Sequence, residues 1–106
     1  MNKQQLYPKV RLIFGFANGC PWCDRFKQRT LPMVQSLGLN HQILTKKEHL
    51  DVYKADDYGY PLIVFADRKG APLVSHGGYL TLPELMAKME EVYKKFYPGE
   101  SPNGTR

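Results

Sequence analysis

Two short runs in this chain narrow its choice of fold more than anything else in it. Val10-Arg11-Leu12-Ile13-Phe14-Gly15-Phe16 and Leu62-Ile63-Val64-Phe65-Ala66 are β-prone and almost continuously apolar. A strand with one face in water alternates apolar and polar residues, whereas runs like these are stable only with both faces covered. They therefore point to a central sheet with helices on both sides, an α/β arrangement. A chain of 106 residues suits one such domain around one core.

The chemistry follows the first run. Ala17-Asn18-Gly19 reads as a turn, and Cys20-Pro21-Trp22-Cys23 then opens an amphipathic segment that continues to Leu37. A Cys-x-x-Cys pair between a strand and a helix is the signature of a thiol–disulfide site. Two cysteines are too few for the framework of a small secreted protein. Met1-Asn2-Lys3-Gln4-Gln5 lacks the apolar segment of a signal peptide, and no later run is long enough to span a membrane. A cytoplasmic location is expected, and there paired cysteines are more often catalytic or metal-binding than structural. Pro21 suits the first residue of a helix, where a missing N–H costs nothing. Cys20 then lies at the helix N-terminus, where unpaired N–H groups and the helix dipole favour a thiolate. Cys20 is the expected nucleophile, and Cys23, one turn in and partly buried, its resolving partner. Asp24 opposes the thiolate, whereas Arg25 and Lys27 support it where they fold back towards Cys20. Trp22 is expected at the exposed rim, or packed locally on Tyr60 or Tyr79.

The remaining segments supply the other elements. Residues 1–8 read as a loose lead-in, residues 9–98 as the domain and residues 99–106 as a flexible tail, in which Asn103-Gly104-Thr105 matches a glycosylation sequon. Phe26, Thr30, Val34 and Leu37 mark the buried face of the first helix, Pro32 should kink it, and Gly38 should end it. Asn40 to Leu44 reads as a second strand, and Lys46 to Tyr58 as a weaker helix with Leu50 and Tyr53 inward. Asp67-Arg68-Lys69-Gly70 is a hairpin turn after the second apolar run. Leu73 to His76 returns antiparallel, and Pro72 makes it an edge strand. Gly77 and Gly78 either let a substrate approach the backbone closely or only terminate this strand. Thr81 and Glu84 form a capping box that opens a helix through Tyr97, with Leu82, Leu85, Met86, Met89, Val92, Tyr93 and Phe96 as its core stripe. The order is β-α-β-α-β-β-α: a four-stranded mixed sheet flanked by three helices, its first two strands parallel.

From about Lys9 to Tyr97 this order resembles the thioredoxin-like superfamily in its smaller, glutaredoxin-sized form. Cys20-Pro21-Trp22-Cys23 looks like the Cys-Pro-Tyr-Cys of dithiol glutaredoxins, with Arg25 and Lys27 where such helices often carry basic residues. Pro61 to Leu85 looks most like thioredoxin. The resemblance implies a thiol–disulfide oxidoreductase that reduces protein disulfides and cycles through a Cys20–Cys23 bond. It also implies that Pro61 is a cis proline facing the disulfide, and that Tyr60 backbone groups pair with an extended substrate. Pro21, Trp22, Gly77, Gly78 and Tyr79 would border that substrate. No resident cofactor is implied, and the electron donor would be a thioredoxin-reductase-type flavoprotein or glutathione. Two departures stand out. Phe14 occupies the place of thioredoxin's buried aspartate. Ala17 and Tyr79-Leu80-Thr81 occupy places where glutaredoxins carry a lysine and an acidic pair that holds glutathione. The expected potential lies between about −270 and −200 mV, the values of thioredoxin and the glutaredoxins.

Other functions fit less well. The net charge is +5, but the basic residues are scattered and form no block, so a solvated basic surface is expected rather than nucleic-acid binding. His41, His49 and His76 lack the spacing of zinc ligands. Pro21 stiffens the loop against a shared iron–sulfur cluster. A thioredoxin-like adaptor without turnover is the remaining alternative. A monomer that contacts no membrane is expected.

Overall fold

The structure is a computed structural model, and it describes residues 6–100. Both apolar runs become the inner strands of one sheet. β1 (Arg11–Gly15) and β3 (Leu62–Ala66) lie side by side, with β2 (His41–Leu44) outside β1 and β4 (Pro72–Gly77) outside β3, in the order β2-β1-β3-β4. β1 and β2 are parallel, with Leu12 opposite His41 and Gly15 opposite Leu44. β1 and β3 run antiparallel, with Arg11 opposite Ala66 and Gly15 opposite Leu62, and β4 returns antiparallel to β3. The mixed four-stranded sheet is the one expected.

Alternation along the inner strands divides the core in two. Leu12, Phe14, Ile63 and Phe65 face α1 (Pro21–Arg29), α2 (Leu31–Ser36) and α5 (Leu82–Phe96), where they pack with Phe26, Val34, Leu85 and Met89. Ile13, Leu62, Val64 and Ala66 face the other way, towards Leu50 of α3 (Lys47–Val52) and Ala55 of α4 (Ala55–Tyr58).

Two of the three expected helices are divided. Pro32 does more than kink the first: the helix stops at Thr30 and restarts at Leu31. A proline has no N–H to continue the ladder, and the Thr30 hydroxyl is committed elsewhere, donating to the Leu80 carbonyl at 2.8 Å. The segment from Lys46 to Tyr58 is likewise two short helices, because Lys54 between them adopts a left-handed φ of 57°. Leu50 is buried and Tyr53 half-buried as expected, the Tyr53 hydroxyl donating to the Gly70 carbonyl at 2.7 Å.

The local stop and start signals act as read. Gly38 takes φ 71°, and the Leu39 N–H closes back on the Val34 carbonyl. The hairpin is held by Asp67, whose Oδ1 accepts from the N–H groups of Lys69 and Ala71, both at 2.9 Å. The Thr81–Glu84 capping box is fully formed. One residue of the lead-in behaves differently from a loose segment. Tyr7 is buried, its ring 5.0 Å from that of Tyr93 and edge-on to it, while the Tyr93 hydroxyl accepts from the Lys9 N–H at 2.7 Å. The sequon and most of the tail lie outside the described residues.

Candidate active site

The turn after β1 delivers Cys20 to the start of α1. Cys20 is the N-cap, in extended conformation, and Pro21 is the first helical residue. A sulfur takes the capping place that serine or aspartate usually fills: Cys20 Sγ accepts the Cys23 N–H at 3.1 Å. Cys20 and Cys23 form a disulfide, with Cα atoms 5.2 Å apart. The two sulfurs are not equivalent. Cys20 is half-buried at the mouth of the site, whereas Cys23 is wholly buried against the larger core. Only the first is open to a partner.

The charged residues on α1 have definite seats. The Arg25 guanidinium lies over the Trp22 ring, 5.2 Å from its centroid, and Lys27 Nζ lies over Phe16 at 5.0 Å. Both cations therefore rest on aromatic faces, an attraction of the ring quadrupole for positive charge. Asp24 is exposed in the first turn. Trp22 is 54% exposed and its ring is 5.6 Å from that of Tyr79, so the packing on Tyr79 is realised together with the exposed rim position. Phe14, fully buried, packs edge-on against Phe26 with centroids 4.9 Å apart. The core that Phe14 shares with Cys23 is filled by hydrocarbon at this position.

The entry to β3 is linked to this helix turn through Gly78 and Tyr79, whose ring packs on Trp22. The Tyr60–Pro61 peptide is cis, as expected, and Pro61 is buried. The Pro61 carbonyl accepts the Gly78 N–H at 2.9 Å, which joins the start of β3 to the end of β4. The two glycines have separate tasks. Gly77 belongs to β4, and a Cβ there would collide with the Tyr58 carbonyl. Its bare face seats the protein's own backbone, just before Gly59-Tyr60-Pro61. Gly78, at φ 118°, takes a conformation that side chains rarely tolerate.

Several contributors carried no recognisable signal in the sequence. Thr30 ties the segment after β4 to the end of α1 through Leu80. His76, opposite Ile63 on β4, places its Nε2 3.8 Å from where a Cβ of Gly78 would stand. Burial pushes its pKa below the ordinary 6.5, and Lys88 acts in the same direction while Glu84 opposes. The Tyr60 hydroxyl donates to Asp56 Oδ1 at 3.0 Å, and Lys47 Nζ donates to Asp56 Oδ2 at 3.0 Å and to Asp51 Oδ1 at 2.7 Å. These bonds hold the Asp56 carboxyl below the usual range, the Lys47 bond first, and burial followed by the Asp56 bond pushes the Tyr60 phenol up. Among the described residues no three His, Cys, Asp or Glu side chains group to hold a metal ion.

No protein-family model matches the sequence, and no curated protein sequence matches it. Solved structures do match the arrangement. Thioredoxin from Fasciola hepatica aligns over 84% of this chain and 98% of its own, with TM-score 0.63 at 12% identity. A thioredoxin-fold protein from Helicobacter pylori covers 92% of this chain and 76% of its own, with TM-score 0.64 at 18% identity. The fold is thioredoxin-like. A thioredoxin-like protein from Clostridium perfringens, TM-score 0.60 and 17% identity, spans 93% of this chain and 80% of its own. In this thioredoxin-like fold, the Cys-x-x-Cys pair at disulfide distance gives the protein a redox-capable dithiol.

Proposed function

We propose that this protein is a dithiol oxidoreductase that reduces disulfide bonds in protein substrates. The unequal placement of the two sulfurs carries the reading: a half-buried Cys20 at a helix N-cap and a wholly buried Cys23 one turn behind it. In the reduced enzyme the Cys20 thiolate attacks one sulfur of the substrate disulfide. A Cys20–substrate bond forms, the substrate S–S bond breaks, and the other substrate sulfur leaves as a thiolate. The N–H groups at the start of α1 stabilise negative charge on Cys20 before attack. Cys23 then attacks Cys20 Sγ, its proton passing to the substrate thiolate released in the first step. The Cys20–Cys23 bond forms, the mixed disulfide breaks, and the second substrate thiolate departs. Two electrons have passed to the substrate, and the protein is left as the disulfide seen here.

With Phe14 in the core that holds Cys23, the second step lacks a carboxylate at that position to accept the Cys23 proton. The resolving step should accordingly be slower than it would be with such an acceptor. Trp22, Tyr60, Pro61 and Tyr79 border the approach to Cys20 and supply an apolar rim for an extended segment around the substrate cysteine. An external thiol donor returns the protein to its reduced form in the cytoplasm, either the dithiol of a thioredoxin-reductase-type flavoprotein or two glutathione molecules that leave as glutathione disulfide.

Insulin reduction with dithiothreitol tests the reading directly. The wild type should accelerate the reaction and Cys20→Ser should not; equal rates would leave a thioredoxin-like adaptor. Presenting the oxidised protein separately to a thioredoxin reductase system and to glutathione identifies the donor.

A further inference from the structure

Resting on that reading, we propose that Asp56, held by Lys47, is a positioning and specificity residue of this site: it fixes the Tyr60 ring as a wall beside the disulfide and so selects among the residues that flank the substrate cysteine. Tyr60 has backbone and side chain in different roles. Its carbonyl carbon is bonded to Pro61, whose own carbonyl is fixed by the Gly78 N–H, so the backbone is set by the sheet. Its ring is half-buried and packs against both core clusters at their shared margin. A ring at such a margin can turn towards either side unless its hydroxyl is tied. The tie is the bond to Asp56 Oδ1.

Asp56 has no freedom of its own to follow the ring, because its second oxygen accepts from Lys47 Nζ, which also donates to Asp51. Both carboxylate oxygens are therefore engaged, one by α3 and one by the active-site loop. The chain Lys47–Asp56–Tyr60 crosses the break at Lys54, where the backbone ladder between α3 and α4 is interrupted. It thus joins, through side chains, two short helices and the loop that leads into β3. The low carboxyl pKa of Asp56 keeps it an ionised acceptor throughout the pH range in which a cysteine thiolate reacts.

Loss of the tie should weaken binding of substrates that contact the ring without altering the chemical step. Steady-state reduction of insulin by Asp56→Ala and by Tyr60→Phe should show a rise in KM of about 3- to 10-fold each, with kcat within about twofold, the scale of one hydrogen bond. The double variant should be no worse than either single one, because both remove the same bond. Asp56→Asn keeps an acceptor for the hydroxyl but gives up the one that accepts from Lys47, and should recover part of the wild-type KM. Additive effects, an unchanged KM, a fall in kcat alone, or failure of Asp56→Asn to rescue would each overturn the proposal. Failure of the wild type to reduce insulin at all would sink the oxidoreductase reading, and this proposal with it; that result appears before any variant is compared.

Discussion

The two faces of the sheet are built to different standards. Under α1, α2 and α5 lie Phe14, Phe26, Phe65, Leu85 and Met89, all fully buried. Under α3 and α4 the buried set is smaller in side-chain size: Ile13, Leu44, Leu50, Ala55, Leu62, Val64 and Ala66. The covering helices there are six and four residues long, too short to persist without packing. Val52 stands 71% exposed and Tyr58 49% exposed on that side. The disulfide belongs to the well-packed face, whereas the Gly59-Tyr60-Pro61 loop grows out of the thin one. In the proposed function the difference would divide the tasks: dense packing would hold the reacting sulfurs still, and a lightly held loop would meet the substrate. What fixes the loop is a few specific contacts, the seat at Gly77 and the Tyr60–Asp56–Lys47 chain, rather than bulk burial.

The sharpest way to test this division is through the cysteines. Cys20→Ser should lower the rate of insulin reduction by on the order of a thousandfold or more. Cys23→Ser should retain the first attack and accumulate a mixed disulfide, visible as a mass increase of the intact protein. Trapping through Cys23 in place of Cys20 would reverse the assignment of roles.

Core truncation compares the faces directly. Phe26→Ala should cost about 4 kcal/mol and Leu50→Ala about 2 kcal/mol in urea denaturation, because a large aromatic in a dense core leaves the larger cavity. Equal losses would show that the thin face is as tightly packed as the other. Gly77→Ala tests the seat of the loop. The added methyl meets the Tyr58 carbonyl, and shifting that backbone should cost about 1–3 kcal/mol. Amide chemical shifts from Tyr58 to Leu62 should move with it, and a silent spectrum there would remove Gly77 from the description of the loop.

The smallest effects fall at the edge of the dense face. Thr81→Ala should cost about 1 kcal/mol by removing the cap of α5, read from the urea midpoint. His76 adds a pH dependence whose sign is fixed by burial. Its folded pKa lies below the ordinary 6.5, so in the window just below 6.5 the unfolded chain binds more protons and stability falls as pH falls. Well above 6.5 both states are neutral at this residue and it contributes no slope. His76→Gln should flatten that part of the stability curve; an unchanged slope would place its origin elsewhere.

Much of this architecture was legible in the sequence because its signals are local. Two apolar runs identified the inner strands, Thr81 and Glu84 the start of the last helix, Gly38 and Gly70 the turns, and Cys20 with Cys23 the dithiol. Pro32 was visible as a disturbance, but the tie of the neighbouring Thr30 hydroxyl to Leu80, 50 residues away, was not. The division of the Lys46–Tyr58 segment was hidden, since a left-handed lysine has no compositional mark. Tyr7 was hidden as well: a lone aromatic in a polar segment joins the core only when α5 brings Tyr93 to it.

The candidate site divides along the same line. Sequence alone determined that a Cys-x-x-Cys pair caps a helix after a buried strand, because spacing along the chain and helix-start preferences act over a few residues. Tertiary structure alone decided that Arg25 and Lys27 rest on aromatic rings, that Gly77 receives the chain's own backbone, and that Tyr60 is tied to Asp56. Each of these depends on which side chains reach one another after the sheet has ordered its strands and the helices have settled on its faces. Such encounters are set by packing in three dimensions, and a linear pattern carries no record of them.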